Sequence, residues 1–159
     1  MAVEHHSWIG ESSLLWVLSW VAASAIYRVS KGKPLYRPRM PESRFSQGWL
    51  SGWSLRNFLT QMSRANHCLW IAVTDDELLI GPHFPWTLMF LPEILGIEER
   101  IKRQDILSVE KHRSFIYGNK YIVKFRQATG AEQCFVIQVR NARGFENALA
   151  AMKITVDAF

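Results

Sequence analysis

The stretch from Ser12 to Tyr27 constrains the fold of this sequence most, because its sixteen residues carry no charge between Glu11 and Arg28. As a helix it would extend about 24 Å at roughly 1.5 Å per residue, whereas the hydrocarbon core of a bilayer is about 30 Å thick. Interfacial Trp8 and Tyr27, a snorkelling Arg28 and local thinning of the bilayer can make up the difference. We therefore predict a membrane-anchoring helix here.

The lipid-facing residues of this helix are predicted to be its large apolar ones: Leu14, Leu15, Trp16, Val17, Leu18, Trp20, Val21, Ile26 and Tyr27. An amphipathic helix lying in the membrane plane would need a polar face. The serines at 12, 13, 19 and 24 do not share one helical face, so a spanning helix is favoured.

Two other interpretations of the apolar stretch stay open. A cleavable signal peptide would use residues 14–22 as its apolar region and 23–25 as an A-x-A site, but the first thirteen residues contain no Lys or Arg for a basic n-region. A core helix of a soluble domain is a common explanation for apolar runs of this length. It would not explain the six basic residues in the seventeen positions from Arg28 to Arg44.

The net charge of +5 is concentrated in one part of the chain. Residues 1–27 carry −2, residues 28–64 carry +7, and residues 65–159 are neutral, with 11 basic and 11 acidic side chains. Acids before an apolar helix and bases after it are the pattern of the positive-inside rule. The sequence thus predicts a single-pass protein with its N-terminus outside and its C-terminal domain in the cytoplasm.

The basic segment after the helix, residues 28–66, is predicted to be a linker that contains one short amphipathic helix. Gly32, Pro34, Pro38 and Pro41 disfavour a continuing helix, and apolar residues at 55, 58, 59 and 62 have helical spacing. The linker cations would either contact anionic headgroups or only enforce topology. The candidates for headgroup contact are Arg28, Lys31, Lys33, Arg37, Arg39 and Arg44.

The second half of the chain has the period-two pattern of strands. Leu69, Ile71 and Val73 alternate with their neighbours, and polar residues 74–77 predict a turn into a second strand at 78–80. Further strands are predicted over 100–102, 106–113, 115–117, 121–126 and 135–139, an edge strand over 86–91, and turns at 118–119 and 128–130. Residues 142–153 predict a C-terminal helix with Phe145 and Leu149 on its apolar face.

These elements predict an α+β chain in which an antiparallel barrel of six or seven short strands is capped by a C-terminal helix. Its parts are a tail (1–11), the anchor (12–27), the linker (28–66), the barrel domain (67–153) and a second tail (154–159). The hairpin at 69–80 is followed by Ile101, Asp105, Ile106 and Val109 in an I-x-x-x-D-I-x-x-V pattern. With this order of elements, residues 67–153 resemble the pleckstrin-homology-like superfold, including its GRAM and bacterial members. The segment 51–53 is similar to a feature of membrane-anchored proteins with such a domain.

The resemblance implies a binding or scaffolding module that recognises phosphoinositide headgroups, peptides or partner proteins, and fold alone does not select among them. Members that bind phosphoinositides carry Lys and Arg on the first hairpin, whereas this hairpin carries Asp75, Asp76 and Glu77. An acidic loop repels a polyphosphate. We therefore expect a partner protein at the membrane, in the manner of a subunit or assembly factor of a membrane complex.

The alternative is direct binding of anionic lipid by the linker and a basic patch on the strands. That patch would comprise Arg100, Lys102, Arg103, Lys111, His112 and Arg113, although charged residues on strands usually mark only a solvated face. Nucleic acid is not an expected partner, since the basic residues directly follow the apolar helix.

The sequence predicts no enzyme, metal site or cofactor. It contains no G-x-S-x-G elbow, P-loop or G-x-G-x-x-G motif. His67 and Cys68 would point to opposite faces of a strand, and His5 and His6 would point apart on a helix. The carboxylates at 93, 98, 99 and 105 have no His or Cys at metal-ligand spacing, so a solvated loop is expected there.

Overall fold

The computed structural model describes residues 7–33, 35–36, 42–56, 64–89, 97–114 and 118–158. It has the predicted α+β composition, with an N-terminal apolar helix, a large sheet and a C-terminal helix. Its elements are α1 (Ser7–Ser30), β1 (Phe45–Ser54), β2 (Ala65–Val73), β3 (Glu77–Pro82), α2 (Trp86–Met89), β4 (Glu99–Lys102), a 3-10 turn (Arg103–Asp105), β5 (Ile106–Ser114), β6 (Gly118–Arg126), β7 (Glu132–Val139), α3 (Ala142–Ala151) and β8 (Val156–Ala158).

The eight strands form one sheet in the order β4-β3-β2-β1-β7-β6-β5-β8. The sheet is mixed, because β8 lies parallel to β5, with Val109 opposite Val156, so the predicted antiparallel arrangement is not confirmed. Helix α3 supplies the crossover that such a parallel pair requires. Within the described residues β4 and β8 are the two edges of the sheet and do not pair with each other, so the sheet is open and the predicted barrel closure is not confirmed.

Strand β1 lies in the middle of the sheet, between β2 and β7, although the sequence predicted a linker there. Gly48 and Gly52 suggest a break in the chain, which is why the sequence pattern does not predict a strand here. Gly52, however, has a packing role. A Cβ added to Gly52 would lie 2.7 Å from the carbonyl oxygen of Val136 in β7. Only glycine lets these two backbones approach so closely.

The strand β1 also contains a bulge at Trp49, where its register against β2 shifts. Trp49 has φ 57°, and His67 on the facing strand has φ 52°. Positive φ is unfavourable for residues with a side chain, at a cost of about 1–2 kcal/mol each. The bulge turns the Trp49 ring outward, where it is exposed.

The predicted hairpin of β2 and β3 is confirmed, with Val73 opposite Leu78. In its turn, the Thr74 hydroxyl donates to the Glu77 carbonyl and accepts from the Glu77 N–H, both at 3.1 Å. The predicted turn at 128–130 is also confirmed, and Gly130 has φ 83° there.

Three other predictions differ from the structure, and two lie mostly or wholly outside the described residues. The edge strand expected over 86–91 begins as a single helical turn, α2, and residues 118–119 belong to β6 and not to a turn. The expected tail at 154–159 contains β8. Most of the predicted amphipathic helix, residues 57–63, and the predicted strand at 115–117 lie outside the described residues.

The core lies between the curved sheet and α3. The side chains of Phe145, Leu149 and Met152 are fully buried, as their helical spacing predicts. The Phe145 ring packs edge-on against Tyr121 at 4.9 Å between centroids. The Asn141 side chain caps α3 by accepting from the Gly144 N–H at 3.0 Å.

Candidate membrane-docking site

Helix α1 exposes apolar side chains around most of its circumference. Within the described residues, α1 is the one helix that is long and apolar enough to cross a membrane, over Ser12–Ser30. Only 11% of its apolar segment is buried inside the protein. Leu14, Trp16 and Ile26 are each more than 60% exposed. A core helix of a soluble domain would be mostly buried, so the structure does not favour that interpretation.

The nine residues predicted to face lipid occupy this exposed surface. All of them are exposed except Val21, which is half-buried. The rings of Trp16 and Trp20 stack at 5.9 Å between centroids, as residues one helical turn apart can.

One face of α1 is buried against the sheet domain near the C-terminal end of the helix. Ser24 is 3% exposed and Arg28 is 1% exposed. These residues are four positions apart, so they lie one above the other on the same side of the helix. Since Ser24 is buried, the domain extends along the last seven residues of α1, a rise of about 9 Å.

The Arg28 side chain forms a two-pronged ion pair with Glu98, which directly precedes β4. Its Nη1 donates to Glu98 Oε2 at 2.9 Å and its Nη2 to Oε1 at 3.2 Å. This fork-to-carboxylate geometry is the one that a guanidinium favours. The prediction that Arg28 reaches headgroups is therefore wrong, because a partner 70 positions away draws the side chain into the protein.

The chain leaves α1 through a tight turn that adds a second cation beside Glu98. Gly32 has φ 66° and ends the helix, and the Lys33 N–H donates to the Arg28 carbonyl at 2.9 Å. This turn places Lys33 Nζ 3.9 Å from Glu98 Oε2. The carboxylate expected in a solvated loop thus joins two basic residues at the end of α1.

A cavity of about 670 Å³ opens beside this ion pair, between the turn at Gly32 and the outer face of β2, β3 and β4. Its lining includes Lys33, Trp70, Ile80 and Glu99. Burial raises the pKa of Glu99 to about 7, with nearby Arg56 and Lys33 opposing and Glu98 adding to the rise. The charge on this carboxylate therefore changes near neutral pH.

A second attachment involves α2, which packs against α1. The buried Thr87 hydroxyl donates to the Leu35 carbonyl at 3.1 Å. The ring of the next residue, Tyr36, packs at a tilt against Phe84 with 4.8 Å between ring centroids. Both attachments hold the domain at a defined position on the end of the helix.

Of the remaining predicted headgroup residues, the structure describes Lys31 and Arg44. Lys31 is exposed, and Arg44 forms an ion pair with Asp75. Arg37 and Arg39 lie outside the described residues. Of the six candidates, three therefore have carboxylate partners inside the protein: Arg28, Lys33 and Arg44.

The strand patch is also divided, and two of its members are paired with acids. Arg100 and Lys102 lie on β4, at one edge of the sheet, whereas Lys111 lies on β5, next to the opposite edge. Arg100 pairs with Glu77 at 2.7 Å and Lys111 with Glu146 at 2.6 Å.

The remaining members of the patch have separate surroundings. His112 lies 3.8 Å from a Glu110 oxygen. Arg103 adjoins Lys102 beside a cavity of about 600 Å³ that is also lined by Asp76 and Glu77. The backbone of Arg113 pairs with Asn119 in β6. Among the members whose side chains the structure describes, the patch is thus spread over separate parts of the sheet.

Cys68 is buried and His67 is exposed, so their side chains lie in different surroundings. Burial raises the pKa of the Cys68 thiol, which disfavours its reactive thiolate form. In the described ranges, no three His, Cys, Asp or Glu side chains are close enough together to hold a metal ion.

Sequence reasoning did not identify Glu98 as a functional residue. The available signal was an arginine at the end of an apolar helix, which implies an acid elsewhere if the arginine is buried. Several acids fit that condition, and only the fold selects Glu98. No protein-family model matches the sequence, and no curated protein matches it either.

Proposed function

We propose that this chain is a membrane-anchored interaction module. Helix α1 crosses the membrane with its N-terminus outside, and a pleckstrin-homology-like domain binds a partner protein at the cytoplasmic face. The proposal rests on the difference between two parts of α1. Its apolar residues are exposed, whereas Arg28 is buried and forms an ion pair with Glu98. A rigid connection of this kind presents the domain to partners in a fixed orientation.

The pleckstrin-homology-like assignment draws support from the strand order along the chain and from the C-terminal helix that packs on the sheet. Helix α3 contacts β1 and β2, and its Phe145 ring packs against Phe45 at 5.6 Å between centroids. A helix covering one face of a curved sheet is compatible with that superfold. The open edge at β8 is the feature that departs from a closed barrel.

The β4 edge is the best candidate surface for the partner. Its outer side has no neighbouring strand among the described residues, and an extended peptide can add to such an edge by backbone hydrogen bonds. The charged cavity beside it, lined by Asp76, Glu77, Lys102, Arg103 and Gln104, offers both signs of charge for side-chain recognition. We assign the partner's contact to this edge and cavity.

The test is co-purification of the full chain from membranes in mild detergent, with the partner quantified by mass spectrometry. Lys102→Glu with Arg103→Glu should abolish recovery of a stoichiometric partner. The control variant Arg143→Glu with Lys153→Glu makes the same charge change at two exposed positions on and after α3, and it should retain the partner. Equal recovery with both variants would refute the β4 surface, and absence of any stoichiometric partner would refute the proposed function.

A further inference from the structure

A group of aromatic side chains lies where α1 meets the domain. This aromatic cluster consists of Tyr36, Trp49, His83, Phe84 and Trp86. Trp49 stacks on His83 at 4.7 Å and meets Trp86 edge-on at 6.4 Å, while Tyr36 contacts Phe84. The cluster thus joins three separate parts of the chain: the segment after α1, the β1 bulge and the α2 region.

Three of the five members of the cluster are exposed, whereas His83 and Trp86 are half-buried. Tyr36 is 64% exposed, Trp49 is 52% exposed and Phe84 is 43% exposed. Trp49 is held outward by a backbone conformation that a tryptophan rarely adopts. Large exposed apolar surfaces of this kind mark contacts with proteins or membranes.

The position of the cluster favours the membrane. Tyr36 follows the end of α1 by six residues, and the preceding carbonyl is bonded to Thr87 in α2. The domain covers α1 from Ser24 onward, about 9 Å before the helix ends. The headgroup layer on each side of the hydrocarbon core is only about 5–8 Å thick. If α1 spans the bilayer through Ser12–Tyr27, the surface beside its last two turns lies where the hydrocarbon core meets this layer.

The chemistry of the cluster also fits that layer. Tyr and Trp are enriched at membrane interfaces, because an apolar ring can enter the acyl boundary while its polar group stays hydrated. We propose that the aromatic cluster is a second membrane contact, which inserts into the headgroup region of the same leaflet from which α1 emerges. This inference rests on the proposed anchoring by α1. It requires no anionic lipid, since the contact is made by aromatic rings.

The test measures the depth of fluorescent labels in vesicles of neutral phosphatidylcholine that contain the full chain. An environment-sensitive dye is attached to Phe84→Cys, Ile26→Cys or Leu107→Cys, each in a Cys134→Ser background, and is quenched by spin-labelled lipid. Ile26 reports on α1. Leu107, on β5, is the matched control, because it is 44% exposed and Phe84 is 43% exposed. The parent chain without an added cysteine corrects for labelling of Cys68.

We expect the Phe84 label to be quenched to about the same extent as the Ile26 label, and the Leu107 label to remain unquenched. Quenching at Ile26 with none at Phe84 would overturn the second contact and leave the anchor intact. A Phe84 label that is shielded from water but not quenched would also overturn it, since a protein surface would then cover the cluster. Absence of quenching at Ile26 would instead refute the anchoring itself.

Discussion

The two ends of α1 differ in what surrounds them, although both are apolar in sequence. Around Leu14 and Leu15 the helix contacts almost no protein, whereas around Ser24 and Arg28 one face is fully covered. The leucines of the sheet, such as Leu69 and Leu78, are completely buried by protein. A leucine exposed to water forfeits about 1.5–3 kcal/mol of burial free energy. The first part of α1 therefore has an apolar surface that the sheet domain does not cover, and in the proposed function a bilayer covers it.

The largest expected effect tests that environment directly. Leu15→Lys with Leu18→Lys places two charges in the middle of α1, at a cost of about 3 kcal/mol each for insertion. We expect the full chain, synthesised in the presence of liposomes, to lose most of its flotation with them. The matched control Leu107→Lys changes an exposed leucine of the sheet domain and should float normally. Normal flotation of the α1 variant would contradict the claim that the middle of α1 lies in the bilayer.

The second effect concerns the core of the sheet domain. Phe145→Ala removes a fully buried ring that packs on Tyr121 and Phe45, and such truncations cost about 3–5 kcal/mol. Urea denaturation in detergent should show this loss in the free energy of unfolding. Leu15→Ala should change it by less than about 0.5 kcal/mol, as expected for a residue outside the folded core. A similar loss for both variants would mean that α1 belongs to the core.

The third effect concerns the ion pair between Arg28 and Glu98, where the sheet domain contacts α1. Glu98→Ala leaves the Arg28 guanidinium buried without its carboxylate, which should lower the free energy of unfolding by about 3 kcal/mol. That figure is the low end of the usual range, because the Glu98 side chain is 23% exposed. The effect is measured by the same denaturation experiment.

Two controls separate the ion pair from general damage to the chain. Arg28→Met with Glu98→Leu removes both charges and should recover most of the lost stability. Glu132→Ala removes an acid that is 71% exposed in its ion pair and should have almost no effect. If Glu98→Ala were equally harmless, the ion pair would not be what docks the domain to α1.

The smallest effect is a dependence on pH. Burial raises the pKa of Glu99 to about 7, above the value of about 4.3 expected in the unfolded chain. The folded state therefore holds its proton more tightly, and the contribution of Glu99 to stability is complete below about pH 4 and is lost as the pH rises to 7. Glu99→Gln should flatten the dependence of urea midpoints on pH across this window. An unchanged slope would show that Glu99 does not titrate there.

Part of this structure could be predicted from local pattern. The β2–β3 hairpin follows from alternation around a polar turn, and α3 from the spacing of Phe145, Leu149 and Met152. In both cases the residues that predict the element lie within the element itself. The apolar helix was predicted for the same reason, and in the structure it extends beyond the uncharged stretch at both ends, from Ser7 to Ser30.

The rest depends on contacts that local pattern does not contain. Strand β1 has two glycines that suggest a break, and only the close approach to Val136 explains Gly52. Strand β8 is three residues long and is defined by its parallel partner β5. The docking site needs Arg28 and Glu98, 70 positions apart. In each case the deciding interaction is with a distant part of the chain.

The central claim is that α1 is embedded in a bilayer, and alkaline carbonate extraction tests it most directly. Membranes from cells that express the full chain at native level are washed with carbonate and then with detergent. We expect the chain to stay in the membrane pellet through the carbonate wash and to be released by detergent. Release by carbonate alone would contradict the account, because a spanning helix is not removed without dissolving the lipid.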